Sequence, residues 1–184
     1  MSHNSTRTLV EAAIFAALAM ALSFVPDFLE WFSPSWGMIP LVLFSLRRGP
    51  KYGLLAGLIW GLLHFVAGKV YYLSLSQVAI EYILAFTVVG FAGLVTVPFQ
   101  TALKANQKGQ ALGLIWAGTF LACLCRYIFH FIAGVIFWGS YAPEGMSPYF
   151  YSFTVNGTAA GLTLVVTAIV LSSLYLTQKN FYNI

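Results

Sequence analysis

The chain has 184 residues, 60% of them hydrophobic and 8% charged, against about 25% charged in a soluble domain. With a mean hydropathy of +0.84, it lacks the polar surface needed to face water on all sides and reads as one integral membrane domain, 1–184. The formal charge of +4 does not mark a nucleic-acid binder, because the cations sit in short loops between apolar spans.

In chain order the apolar stretches predict six helices, at about 7–28, 37–46, 52–68, 72–97, 110–140 and 148–177. A spanning helix needs about 20 residues, within about 17–25. Four stretches meet that length and 52–68 is marginal. The 37–46 stretch is too short to cross as a straight helix. Either it borrows the Trp31–Trp36 region or it is a short helix lined by protein. No stretch alternates apolar and polar residues as a membrane barrel strand does, so the expected class is an all-α integral membrane protein with six transmembrane helices. No small-residue cleavage pattern follows the first apolar run, which tells against a cleavable leader.

The cations set an orientation. Arg47, Arg48 and Lys51 share one loop, Lys104 and Lys108 another, Arg7 precedes the first helix and Lys179 follows the last. With six spans and both termini cytoplasmic, all seven fall on the inner side. The outer side then holds Asp27, Glu30, Lys69 and Glu144. The expected location is the cell membrane, multi-pass, in contact with lipid.

Small residues mark packing faces. Gly53, Gly57 and Gly61 recur at steps of four on the third helix, and Ala13, Ala17 and Ala21 on the first. The glycine row reads as internal packing. The alanine row has a second reading, a face kept smooth for another membrane protein, and spacing alone does not choose. Cys123 and Cys125 lie two apart in an apolar stretch and would point to different helix faces, which leaves them as small packing residues.

Ionisable groups inside spans cost about 3 kcal/mol at the centre on insertion scales, so each one asks for a reason. They are Glu81, Arg126 and His130, with His64 and Lys69 near a helix end. Glu11, near the start of the first helix, suits the helix dipole and reads as structural. Around Glu81, Ser74 and Gln77 fall on the same helical face, Tyr82 adjoins them, and Tyr71 and Tyr72 sit at the outer end. Such a polar stripe faces a cavity or a partner rather than lipid; a structural hydrogen-bond network is the plain alternative to a ligand site.

The fifth helix places Arg126, His130, Gly134 and Trp138 at steps of four, a slowly winding stripe of a cation, an imidazole, bare backbone and an indole. Gly134 lets a ring lie against the helix. Alone, His130 reads as a satisfied core histidine; aligned with its neighbours it becomes a candidate contact. On the last helix Tyr151 and Asn156 are five apart and can flank one pocket, Asn156 offering donor and acceptor together; the tyrosines there also fit an interfacial belt. The aromatic loop Trp31-Phe32-Ser33-Pro34-Ser35-Trp36 is a belt or a lid. By this topology Trp31, Tyr71, Trp138 and Tyr151 lie toward the outer face. Aromatics with a carboxylate and an amide would receive a flat cationic heterocycle, its ring stacked and its exocyclic amine on Glu81.

Other chemistries lack their motifs. There is no Walker A loop, no His/Cys/Asp spacing for a metal, and no nucleophile–histidine–acid set. No internal repeat marks a self-sufficient alternating-access transporter. The residues describe a membrane-embedded binder that needs others to move its cargo.

The stretches SLSQVAIEY (74–82), RYIFHFIAGVIFW (126–138) and YSFTVNG (151–157), with SLRRG (45–49) and GLIWG (57–61), resemble the thiamin-specific substrate-binding component (S-component) of energy-coupling-factor vitamin transporters. The resemblance runs over nearly the whole chain and implies the six-helix S-component fold, capture of thiamin from outside, no cofactor and no catalysis. The implied partners are a transmembrane coupling protein and two cytoplasmic ATPases. It further implies that Glu81 bonds the aminopyrimidine, that His130, Tyr151 and Asn156 complete the polar contacts, that Trp31, Tyr71, Tyr82 and Trp138 enclose the rings with Gly134 at the wall, and that the alanine row with Ala13 and Ala17 docks the coupling protein. A departure falls at Arg126, where the family pattern leads one to expect Lys. The rivals are an S-component for another vitamin, an intramembrane enzyme using Glu81 and His130, and a purely structural membrane subunit.

Overall fold

The computed structural model describes residues 3–26, 29 and 32–184. Trp31, with Asp27 and Glu30, lies outside the described residues. The described residues form six main helices: α1 (His3–Leu22), α2 (Met38–Arg48), α3 (Pro50–Val66), α4 (Leu75–Lys104), α5 (Lys108–Phe137) and α6 (Pro148–Gln178). Helices α1, α4, α5 and α6 are each long and apolar enough to cross a membrane.

Helix α2 has 11 residues, about 16 Å at about 1.5 Å per residue, half a hydrocarbon core. It needs no more, because it packs against all five other helices. Eight of its residues, from Met38 to Leu46, are buried. Of the two readings of this stretch, the short helix lined by protein is the one that forms. Only Gly49 separates α2 from α3. Its φ of 83° with ψ of 176° is a backbone region open essentially to glycine alone, and Pro50 then opens α3 at a position where its missing N–H costs nothing.

Around this central helix the outer surfaces are apolar. Trp116, Phe120, Leu124, Ile128, Ile132 and Ile136 form an exposed row at steps of four along α5, the pattern of a lipid-facing stripe. On α1, Ala12, Ala16 and Ala19 are fully buried, while Ala13, Ala17 and Ala21 are exposed. The alanine row therefore takes no part in packing within the chain.

The glycine row of α3 is used inward. A Cβ on Gly57 or Gly61 would collide with the backbone carbonyl oxygens of Phe86 and Tyr82, and one on Gly53 would sit 2.9 Å from the Gly90 Cα. Gly90 and Gly93 on α4 complete the seam against Leu54 and Pro50. Along it α4 departs from α-helical winding: it is π-helical over Ala79–Leu84 and tightens to a 3₁₀ helix over Val88–Val95. A uniform helix, as the apolar run predicts, is thus replaced by a locally rewound one, and the wide turn contains Glu81. π-Turns inside helices occur frequently at functional sites.

The end bearing the termini is tied by ions. Glu11 accepts from Arg48 Nε at 2.8 Å and Nη2 at 2.7 Å, with Arg7 at 3.4 Å and Arg47 at 3.8 Å. It is therefore the hub of an α1–α2 clamp, rather than a carboxylate that merely suits the helix dipole. The signal was the arginine pair 37 residues downstream, which spacing does not connect to it. Gln100 donates to the carbonyls of Leu46 and Tyr182 at 3.3 and 2.9 Å, and Lys179 to Asn106 at 2.8 Å, closing the same end.

The α3–α4 seam yields a test. Gly61→Ala should destabilise the ligand-free protein by about 1–3 kcal/mol through overpacking. Gly113→Ala, where nothing lies within 4 Å of an added Cβ, should leave the thermal midpoint unchanged or slightly raised. Equal effects in a thermal-shift assay in detergent would contradict the seam.

Candidate ligand-binding site

At the end opposite the arginine clamp, a cavity of about 410 Å³ opens between α3, α4, α5, α6 and the segment joining α1 to α2. That size lies within the range of about 300–1,000 Å³ usual for small-molecule sites. Nine residues proposed from sequence line it: Tyr71, Glu81, Tyr82, Arg126, His130, Gly134, Trp138, Tyr151 and Asn156. They come from three helices and one loop, so the topology, not sequence proximity, assembles them.

Glu81 is the pivot. Its Oε1 accepts from Trp138 Nε1 at 2.7 Å, across the gap between α4 and α5, and its Oε2 accepts from Gln77 Nε2 one turn back. Both donors are neutral, and no cation forms a salt bridge with Glu81 among the described residues. The carboxyl group is held in place by dipoles, with no countercharge from the described residues. A buried charge in that condition is costly unless a ligand supplies the opposite charge.

The stripe before Glu81 is only partly as the helical wheel predicts. Ser74 stands outside the helix in extended conformation and caps it, accepting from the Gln77 backbone N–H at 3.1 Å. It does not line the cavity. The helix begins at Leu75 rather than near residue 72, because Ser74 takes the capping role that serine favours.

Two aromatic groups form the walls. Toward the loops, Trp138 lies 5.0 Å from Tyr71 and 5.5 Å from Tyr141 between ring centroids. Deeper, Phe86 lies 4.4 Å from Trp60, 4.5 Å from His64 and 5.9 Å from Tyr82. Separations of this order are those of favourable aromatic contacts. The Tyr82 hydroxyl accepts from the Tyr71 backbone N–H at 3.0 Å, joining the loop to α4. The Arg126 guanidinium lies over the Phe86 and Trp60 rings at 4.5 and 5.2 Å, so that its charge rests on π faces.

On the α6 side, Ser152 donates to the Phe131 carbonyl at 2.8 Å, and Asn156 Nδ2 donates to Ser152 O and Oγ at 3.2 and 3.1 Å. The Asn156 Oδ1 and the Tyr151 hydroxyl have no hydrogen bond among the described residues, which leaves them for a ligand. Gly134 serves a different purpose from the one its spacing implies. A Cβ there would strike Ser152 Oγ and come within 2.8 Å of Asn156 Nδ2. Its bare backbone admits α6 side chains, and the ligand surface follows indirectly from that close approach.

Sequence reasoning assigned no role to Trp60, Phe86 and Tyr141, named Ser35 and Trp36 only as part of a belt or lid, and named His64 and Lys69 without placing them in the cavity that all of these line. Trp60 and His64 are one turn apart on α3 and share its glycine-bearing face; that adjacency was the available signal. Trp36 offers a buried indole N–H with no acceptor among the described residues.

With that geometry, similarity to known proteins becomes informative. Residues 9–183 match the profile of the family described as "Thiamine transporter protein". The chain is 37% identical over 179 residues to "Thiamine transporter ThiT" of Lacticaseibacillus paracasei, covering 94% of this chain and 88% of that protein. It is 34% identical over 173 residues to the protein of the same name in Bacillus subtilis, covering 92% and 90%. A solved structure of ThiT from Listeria monocytogenes is similar at a TM-score of 0.95 and 41% identity, over 99% of this chain and 100% of that one. The chain belongs to the thiamine transporter protein family.

Proposed function

We infer that this chain is a thiamin-binding membrane S-component that captures the vitamin from outside for uptake driven by other subunits. The observation that carries this reading is Glu81, fixed by two neutral donors at the wall of an aromatic cavity and unmatched by any cation among the described residues. Thiamin has the complementary chemistry: a cationic ring, and an aminopyrimidine whose amine donates. In this reading Glu81 receives the amine. His130, Tyr151 and Asn156 supply the remaining polar contacts, while Trp138, Tyr71 and Tyr82 enclose the rings, as the sequence resemblance also implies for Trp31, which lies outside the described residues. The protein's role is transport, not catalysis, as the relatives' names also have it.

The chain has no Walker A sequence, so energy comes from partners: a transmembrane coupling protein and two cytoplasmic ATPases. The exposed face with Ala13, Ala17 and Ala21 on α1 is the docking surface for the coupling protein. What supports it is that small side chains permit close helix approach and that these three are left unpacked by the chain itself. Both termini are cytoplasmic, since Arg7, Arg47, Arg48, Lys51, Lys104, Lys108 and Lys179 all fall on the side of the termini.

Glu81→Gln should weaken thiamin binding at least about tenfold by calorimetry, because hydrogen bonds to charged groups contribute about 1.5–3 kcal/mol. Unchanged affinity would remove Glu81 from the site. Ala17→Trp should cut cellular uptake at least about tenfold while changing the Kd less than about twofold, as a bulky side chain at an interface does; normal uptake would refute the docking face.

A further inference from the structure

Arg126 is held on three sides. Its Nε donates to His130 Nε2 at 3.1 Å and its Nη1 to Ser35 Oγ at 2.7 Å, while Phe86 and Trp60 lie beneath the guanidinium. Ser35 is itself fixed, its backbone N–H donating to Thr163 Oγ1 at 3.0 Å. Arginine has donors and no acceptor. The His130 Nε2 that meets it therefore presents a lone pair, and a neutral imidazole so arranged carries its proton on Nδ1. An imidazolium would turn N–H against N–H.

The other cavity histidine shows the contrast. His64 places Nδ1 on the Trp60 carbonyl at 2.9 Å and so spends its N–H on backbone. No protein acceptor takes His130 Nδ1 among the described residues, and the ring lines the cavity. The two imidazoles thus present opposite edges.

We propose that Arg126 is a positioning residue that locks His130 as the neutral Nδ1–H tautomer, giving the cavity a hydrogen-bond donor and withholding a second cation from the ring's position. This rests on the thiamin reading. A pyrimidine ring nitrogen or a hydroxyl oxygen can accept from Nδ1–H, and a cationic ring is repelled by an imidazolium. The other titratable groups around His130 are His64 on α3, Lys69 in the loop after it, Glu81 and Tyr82 on α4, Cys123 and Tyr127 on its own helix α5, Tyr151 on α6, and the loop residues Tyr71 and Tyr141. None of them hydrogen-bonds to His130 among the described residues, where Arg126 is the partner that fixes which ring nitrogen carries the proton.

The test joins nitrogen-15 spectra of labelled histidines in detergent to thiamin titrations at about pH 8 and about pH 6, either side of the usual histidine value. The wild type should show protonated Nδ1 and bare Nε2 at both, with a flat affinity. Arg126→Met frees the ring to protonate, and thiamin affinity should fall at least about threefold from the higher to the lower pH. Arg126→Lys, whose ammonium also only donates, should restore the flat profile. A protonated Nε2 in the wild type overturns the proposal, as does a profile for Arg126→Met as flat as the wild type's. A wild type that shows the lock but binds no thiamin refutes the ligand reading instead. Should Arg126→Met fail to fold, the wild-type tautomer and the Arg126→Lys profile decide.

Discussion

A carboxylate in an apolar span must be compensated, and this molecule compensates its two in opposite ways. Glu11 faces three arginines within 4 Å and is saturated; it serves as a clamp between α1 and α2. Glu81 receives two neutral N–H donors and has no ion-pair partner among the described residues. The first arrangement has no further use for a ligand. The second is costly when empty and favourable when a cationic molecule arrives, which is the differential on which capture from dilute solution depends.

The rest of the bundle makes that arrangement possible. Because α2 is sheathed by protein on all sides, it can be short, and the end of the bundle away from the arginine clamp is left open for the cavity. Because α3 and α4 meet backbone to backbone along Gly53, Gly57, Gly61 and Gly90, Trp60 and His64 are brought against Tyr82 and Phe86 as one aromatic floor. Because Gly134 lacks a side chain, α6 approaches α5 and places Asn156 beside the cavity. In both places glycine acts as a spacer that sets where other residues converge.

Much of this was legible in the chain. Six apolar runs mark the six helices, and the clustering of cations in alternate loops gives an expected orientation. Intramembrane ionisable residues are few enough that Glu81, Arg126 and His130 announce themselves by cost alone. What stayed hidden depends on long-range contacts. The Glu11 clamp joins residues 37 apart, the floor residues Trp60 and Phe86 look like ordinary core aromatics, and Ser74 lies on the right helical wheel yet outside the helix. The rewinding of α4 around Glu81 runs along its close seam with α3, a feature that no local propensity records.

The measurement that bears most directly on the central claim is a thiamin titration of the purified protein followed by intrinsic tryptophan fluorescence. Trp36, Trp60 and Trp138 all line the cavity and report a ring that enters it. Saturable quenching in the nanomolar range is the result the account requires. A flat trace from protein shown to be folded would contradict it.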